Sequence, residues 1–326
     1  MTMCNHILLS IIIVNWNSWE YIDNCLKSIK EYSKGINLEI IVIDNNSTDE
    51  SVANLQRFYP NVTLIALTEN LGFPKANNLG FKNASGKYLL ALNPDTQIYE
   101  DTLWRSIDFL EKHKEYGCVG VKTLKPNGRI QLECAGQFLT VRGAIWETLL
   151  LDKIFPKVKC FKPPAMTYWD HNSDLDVDRI QGAYMMFPYE VYRKVGGFDE
   201  RLPMFLEDHE FCIRLWKNGY KIRYLADVEI THFVGQGTKK AMPAWIAALR
   251  YESYYLIIKE LHGNAHANIY VILLLLVLPL KLVTSPFLSL GIYIKNGHHS
   301  FSRLYYEALY GFPWIFKKLA AKLKID

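Results

Sequence analysis

Residues 8–16, LLSIIIVNW, decide the fold: a run of branched apolar side chains, broken only by Ser10, that stops at Asn15. Such a run reads as a strand buried on both faces. Residues 18–33, SWEYIDNCLKSIKEYS, then switch to helical spacing. Trp19, Ile22, Leu26 and Ile29 share one face, and Asn17 and Glu20 stand at capping-box spacing. The alternation repeats through LEIIVIDN (38–45), DESVANLQRFY (49–59), VTLIALT (62–68), KANNLGFKNAS (75–85) and KYLLALNPD (87–95). This βαβαβαβ order predicts a mostly parallel sheet with helices on both faces. Ligands of such sheets bind beyond the carboxyl ends of the strands. Here those ends carry Asn15 and Asn17, then Asp44 and Asn45, then Asn70, then Asn93 and Asp95.

The first strand-to-helix turn, VNWNSWEY (14–21), contains no glycine, so neither a dinucleotide fingerprint nor a P-loop is present there. A nucleotide at this sheet edge must be held by side chains and a metal rather than by a glycine cradle. The second half is less regular. EKHKEYGCVGVKTLKPNGRIQLECAG (111–136) reads as a strand, a PNG turn and a short strand. VDRIQGAYMMFPYEVYRKVGGFDE (177–200) reads as a strand, a short helix and a Gly-Gly stop, and FLEDHEFCIRLWKNGY (205–220) as a helix ended by Gly219. KIRYLADVEITHFV (221–234) reads as a further strand pair ending near His232.

With 326 residues the chain can bury a sizeable core, and its net charge of +4, without a dense basic patch before residue 239, argues against nucleic acid. The six cysteines have no zinc spacing and no CxxC pair, which fits inert thiols in a reducing compartment. The apolar N-terminal run has no basic residue ahead of it and no cleavage site behind it, so it reads as the first strand rather than a leader.

Three places carry candidate chemistry. Asn93-Pro94-Asp95 alone reads as a type I turn, but a carboxylate at a strand end also suits a hard divalent cation shared with a diphosphate. Glu207 and Asp208 open a helix, where its dipole favours acids; an ionised carboxylate behind Met204, Phe205 and Leu206 can also accept a hydroxyl proton. His232 follows a strand and precedes a Gly-x-Gly loop, where an imidazole suits a metal or a phosphate. DHNSDLDVDRIQ (170–181) mimics a calcium loop, yet Leu175 and Gln181 occupy the turn-glycine and bidentate-acid positions, so it reads as a solvated acidic loop.

Taken together, SIIIVNWN, IIVIDNNSTDES, NLGFPKANNLG, LLALNPDT, QGAYMMFPYEVYRKVGGFDE and FLEDHEFCIRLWKNGYKIRY resemble glycosyltransferase family 2, especially its rhamnosyltransferase-like members, from about Leu8 to Thr238. The resemblance implies an α/β GT-A fold, Mg²⁺ or Mn²⁺ as cofactor, and a nucleotide-sugar donor such as dTDP-rhamnose or a UDP-sugar. It further implies inverting transfer to a hydroxyl of a glycan or lipid-linked acceptor in cell-surface polysaccharide synthesis. It assigns Asp44 to the base, Asp95 to the last acid of the DxD motif, Asp208 to general base, and His232 to the metal or diphosphate. Gly182 and Ala183 match a loop lining the donor sugar. Asn15, Asn17, Asn70, Lys75, Asn77, Asn93 and Glu207 fall on the donor side. Two departures stand out: Asn93 replaces the first acid of the fuller metal motif, and Arg179 stands where an aromatic residue is frequent. A polyprenyl-phosphate sugar synthase and a catalytically inactive nucleotide-sugar-binding subunit remain the alternatives.

The tail is different. NIYVILLLLVLPLKLVTSPFLSLGIYIK (268–295) is long enough to span a bilayer, for which about 20 apolar residues suffice, but Pro279, Lys281 and Pro286 divide it. Basic residues flank it on both sides, which favours a monotopic or re-entrant insert at the cytoplasmic face of the inner membrane. Residues 304–324 then read as an interfacial amphipathic helix; a buried helical subdomain or an oligomer interface is the other reading. The expected organisation is a transferase domain over 1–240 and a membrane-associated helical region over 241–326.

Overall fold

The computed structural model of the chain describes residues 6–149, 151, 166, 169–202, 206–233, 244–296, 309, 311–315 and 317–318. One compact unit comprises Met1–Phe138, Trp169–Arg201 and Glu207–Lys240; a second comprises Leu139–Tyr168, Leu202–Leu206 and Ala241–Asp326.

The first unit is built on β1 (Leu9–Asn15), β2 (Leu38–Asp44), β3 (Thr63–Ala66) and β4 (Tyr88–Leu92), which lie in the order β3-β2-β1-β4 and are all parallel. Helices α1 (Trp19–Tyr32), α2 (Ser51–Phe58) and α3 (Phe73–Asn83) are the crossovers. Alternate side chains of β1 explain the two-sided burial. Ile11 and Ile13 pack with Ile22, Leu26 and Ile29 of α1, while Ile12 and Val14 pack with Ala76 and Phe81 of α3. Gly80 of α3 lies so close to β1 that a Cβ there would meet Ile12 Cγ2 at 2.4 Å. The mostly parallel α/β sheet expected from the sequence is what the chain forms.

Past β4 come β5 (Thr96–Ile98), α4 (Thr102–Lys112), β6 (Tyr116–Leu124), β7 (Ala135–Gly136) and α5 (Val141–Thr148). They are followed by β8 (Leu175–Asp176), β9 (Arg179–Ile180), β10 (Tyr184–Pro188), α6 (Tyr189–Val195), α7 (Glu207–Lys217) and β11 (Lys221–His232). The sheet continues from β4 as β10-β6-β11-β5, with β8 on β11, and β7 pairs β9 apart from it. Strand β10 runs antiparallel to both β4 and β6, whereas β6 and β11 are parallel to each other. The 221–234 stretch, expected as two strands, forms a single strand through His232. A register shift between Leu225 and Glu229 lets it bend without ending, because its pairing to β6 resumes beyond the irregularity.

The capping box expected at Asn17 and Glu20 does not form. Ser18 is the N-cap of α1 and makes no side-chain cap bond. Asn17 adopts φ 51° and its Oδ1 instead takes the Thr48 N–H at 2.7 Å and the Asp49 N–H at 3.3 Å, while Asp49 Oδ2 accepts from Trp19 N–H at 3.2 Å. The cap is thus supplied from the loop after β2, a partner that local spacing cannot reveal.

In the second unit, Thr140 caps α5 by accepting the Gly143 N–H at 3.0 Å. Helix α8 (Ala244–Asn296) breaks only at Gly263 (φ 82°, ψ 176°). The expectation that Pro279 and Pro286 divide the apolar tail is therefore corrected: both lie within helix. A proline removes one backbone hydrogen bond, and the packing of Val277, Leu278 and Lys281, all buried, holds the helix together around Pro279. Leu249–Thr284 is, by length and composition, long and apolar enough to cross a membrane. Most of the predicted 304–324 helix lies outside the described residues.

The turn after α6 prepares the approach to α7. Asn78 of α3 takes the Phe198 N–H on Oδ1 at 2.7 Å and donates to Phe198 O at 2.8 Å and Glu200 Oε1 at 2.9 Å. Gly197 allows this, since a Cβ there would sit 2.1 Å from Asn78 Oδ1. Arg214 of α7 clamps the same turn through the Val195 and Gly197 carbonyls. Asn78→Ala leaves both Phe198 backbone groups buried without partners and is expected to cost about 2–4 kcal/mol, read as a lower urea midpoint with unchanged slope.

Candidate active site

The carboxyl ends of β1 and β2 are joined by side chains. Asn15 and Asp44 are in register, and Asn15 Nδ2 donates to Asp44 Oδ1 at 2.9 Å and to Ser47 Oγ at 3.3 Å. The other Asp44 oxygen accepts the Ser47 N–H at 2.9 Å, so this buried carboxylate is well held. Asn15 Oδ1 is buried with no partner among the described residues. One loop further, Asn45 takes the Leu71 N–H at 2.8 Å and donates to Asn70 Oδ1 at 2.9 Å. Asn70 is itself exposed. The loops after β1, β2 and β3 are thereby stitched together at one edge. A cleft of about 630 Å³ opens there between Asn17–Tyr21 and Thr48–Glu50; Asp95, Asp208 and His232 do not line it. Lys75 is exposed on the first turn of α3, and Asn77 is buried with its amide donating to Phe73 O at 3.0 Å, a bond internal to that helix.

At the end of β4 the Asn93-Pro94-Asp95 turn is closed by Thr96 Oγ1 donating to Asn93 O at 2.7 Å. Two other segments are pinned to it. Asn93 N–H donates to Ala183 O at 3.1 Å, and Phe233 N–H donates to Asp95 O at 2.8 Å. The second contact delivers His232 from β11, with Nε2 lying 3.1 Å from Asp95 Oδ1 and 3.3 Å from Asn93 Nδ2. Both Asp95 and His232 are buried, and Asn93 Oδ1 has no partner among the described residues. On the far side of the imidazole, Nδ1 is 3.1 Å from Gln131 Oε1, and Gln131 Nε2 donates to Gln181 Oε1 at 2.8 Å.

The chemistry of the pair fits a hard divalent cation: a carboxylate oxygen and an imidazole nitrogen lie 3.1 Å apart at one corner, on the same turn as the buried Asn93 Oδ1, which has no partner among the described residues. Among the described residues no three or more His, Cys, Asp or Glu are grouped so that they could hold a metal ion by themselves. The remaining ligands would have to be water and substrate oxygens, as such ions accept.

Asp208, at the start of α7, meets the same loop. Its Oδ2 accepts the Gly182 N–H at 2.8 Å and its Oδ1 the His209 N–H at 2.8 Å. Gly182 therefore holds Asp208 while the next residue, Ala183, holds Asn93. Burial pushes the Asp208 carboxyl up, against the lowering pull of the Gly182 N–H and of Arg179. Glu207 is pushed up to about 8, first by burial and then by the charge of Asp208, and its Oε2 has no partner among the described residues. Near neutral pH Glu207 therefore holds a proton, which keeps the two acids from ionising together. Ahead of them Leu206 adopts φ 69°, a left-handed conformation rare for a bulky residue.

Arg179 is the surprise of the site. It is buried, Nη1 donates to Glu133 O at 3.1 Å, and Nε has no partner among the described residues. Burial first, and then its charge, hold His209 neutral well below the usual histidine range. Gln131 and Gln181 escaped sequence reasoning altogether; the only available signal was two glutamines close to cysteine and glycine in otherwise apolar stretches. The four described cysteines, Cys25, Cys118, Cys134 and Cys212, are buried and free.

The chain is similar to known proteins over most of its length. A model of glycosyl transferase family 2 matches residues 10–167, and one of glycosyl transferase family group 2 matches 175–316. An N-acetylglucosaminyl-diphospho-decaprenol L-rhamnosyltransferase of Mycobacterium tuberculosis is 24% identical over 271 residues, 79% of this chain and 86% of that one. Two solved structures share the fold. TarS 1-349 of S. aureus in complex with UDP-GlcNAc has TM-score 0.53 and 19% identity, covering 93% of this chain and 79% of that one. The mannosyltransferase PcManGT of Pyrobaculum calidifontis in complex with GDP-Man and Mn²⁺ has TM-score 0.53 and 16% identity, covering 96% and 87%. With its GT-A fold and its rhamnosyltransferase-like sequence, the chain belongs to glycosyltransferase family 2.

Proposed function

We propose that the chain transfers a sugar from a nucleoside-diphosphate sugar to a hydroxyl of a lipid-linked saccharide, with inversion, in the synthesis of a cell-surface glycan. The observation that carries this reading is the double tether of Gly182 and Ala183, which ties the Asp208 carboxylate to the Asn93–Asp95 corner. The L-rhamnosyl activity named for the mycobacterial relative favours a deoxysugar such as that of dTDP-rhamnose; a UDP-sugar is the other donor to assay.

Asp44 and the unpartnered Asn15 Oδ1 would receive the nucleoside at the stitched edge. Asp95 and His232 would hold Mg²⁺ or Mn²⁺, whose positive charge stabilises the diphosphate leaving group. Asp208 would accept the proton of the attacking hydroxyl. Its recorded bonds come from backbone N–H groups, which leave lone pairs for that proton, and its raised pKa strengthens it as a base. Glu207, protonated near neutrality, keeps the pair from carrying two charges.

The second unit supports a place at the membrane. On α8, Ile269, Ile272, Leu276, Leu280 and Val283 form one exposed apolar stripe, Leu276 and Val283 being 71% and 69% exposed, while Tyr270, Val271, Leu274 and Leu278 are buried on the other side. A helix with a single lipid-facing side lies in an interface rather than alone across a bilayer. Lys295, Arg303, Lys317, Lys318, Lys322 and Lys324 follow in sequence and suit the anionic cytoplasmic leaflet.

Asp208→Asn is expected to reduce sugar-to-hydroxyl transfer by about 10²–10⁴-fold in a mass-spectrometric donor and lipid-extract assay. Transfer to a polyprenyl phosphate that survives the change would replace the acceptor assignment. Because the Asp208 pKa is raised, kcat/KM is expected to climb as the pH is taken up through the pair's ionisation. The Glu207 proton contributes stability that is complete below its unfolded pKa of 4.5 and is lost as pH rises through about 8. Urea unfolding across that window is expected to show a falling midpoint that Glu207→Gln flattens. Chelation is expected to stop transfer and added Mn²⁺ or Mg²⁺ to restore it; full activity after chelation removes the cation from the reading. Leu276→Glu with Val283→Glu is expected to abolish flotation with anionic vesicles while leaving transfer to a detergent-solubilised acceptor intact.

A further inference from the structure

The residue that faces His232 from behind has no counterpart among the candidates read from the sequence. Gln131 is buried, and its backbone is fixed from both sides: its N–H donates to Thr123 O of β6 at 2.8 Å and its carbonyl accepts the Cys134 N–H at 3.0 Å. Its side chain is fixed as well, since Nε2 donates to Gln181 Oε1 at 2.8 Å, and Gln181 is held in turn by its N–H on Cys134 O at 2.9 Å. That arrangement spends the amide's donor side on Gln181 and leaves Oε1, an acceptor, 3.1 Å from His232 Nδ1. An acceptor opposite Nδ1 requires the proton to sit on Nδ1. Asn93 agrees from the other side of the ring, with its Nδ2, a donor, 3.3 Å from Nε2. With the proton fixed on Nδ1, Nε2 faces the Asp95 carboxylate oxygen 3.1 Å away either as a second N–H paired with it or as a lone pair that shares a cation with it.

We infer that Gln131, braced by Gln181, is a positioning residue that fixes His232 in the Nδ1–H tautomer and so aims Nε2, together with Asp95, at a divalent cation. The inference rests on the cation reading above and deepens it: the histidine is a ligand because a glutamine 101 residues away in sequence has chosen its tautomer. A carboxylate at position 131 would accept the same Nδ1 proton, whereas an alkyl side chain would free the ring.

The test uses the full-length chain in detergent micelles, with Mn²⁺ binding followed by electron paramagnetic resonance in the presence of UDP, dTDP or GDP in separate arms. Gln131→Leu is expected to weaken Mn²⁺ binding by about 10–100-fold, and Gln131→Glu to restore it. Unaltered binding by Gln131→Leu, with binding lost in His232→Ala, overturns the role of Gln131 and leaves the cation reading standing. Binding unaltered in His232→Ala and Asp95→Asn overturns the cation reading itself. Histidine-selective ¹⁵N spectra of the unsubstituted chain, with His232 assigned by its absence in His232→Ala, give a readout independent of the folding of any Gln131 variant. A protonated Nδ1 and a bare Nε2 are expected, and a proton on Nε2, with or without one on Nδ1, overturns the inference.

Discussion

Backbone groups of two successive residues hold the candidate site together. The N–H of Gly182 binds Asp208 and the carbonyl of Ala183 binds the N–H of Asn93, so one short turn fixes the spacing between a carboxylate on a helix and a carboxylate corner at the end of a strand. Neither bond involves a side chain of the turn, so the spacing is a property of backbone geometry and survives changes in the flanking side chains. The Phe233 N–H on Asp95 O adds the third arm and brings in His232. Remove the turn and β4 and α7 lose their common reference.

The rest of the edge is arranged on the same economy of buried polar groups. Asp44 is surrounded by Asn15 and Ser47 donors, Asn45 and Asn70 bind each other, and Asn17 serves as a cap receptor for the loop after β2. Buried polar atoms in a protein interior are costly unless paired, and most here are paired with one another. Three of the exceptions fall on residues with a proposed role: Asn15 Oδ1, Asn93 Oδ1 and Glu207 Oε2 lack partners among the described residues. A strained residue, Leu206, stands immediately before the acid pair, a position where backbone strain is commonly retained for function.

Most of the scaffold was legible in the sequence because it rests on local pattern. The apolar runs of β1, β2 and β4 and the helical spacing of Trp19, Ile22, Leu26 and Ile29 state their own burial, and the strand ends announce the polar edge. What could not be read depends on partners remote in sequence. Asn17 had the spacing of a cap and was claimed by Thr48 and Asp49; Arg179 looked like a departure and proved to be a buried cation felt by Asp208 and His209. Gln131 and Gln181 carry no pattern at all, since a single amide acquires meaning only when folding sets it against a ring. Pro279 misled in the opposite sense, because breaker propensity is a local rule and tertiary packing overrode it.

The reversed direction of β10 carries a further consequence. Tyr184, its first residue, pairs with Leu92, the last of β4, whereas its last, Pro188, pairs with Tyr88, the first. The strand therefore begins at the reactive edge and leaves it, so the turn that precedes it is constrained while the joint that follows it, at Pro188 and Tyr189, lies a full strand length away. A change in the length or composition of that joint is therefore made at the opposite end of β10 from the backbone tether that spaces the carboxylates.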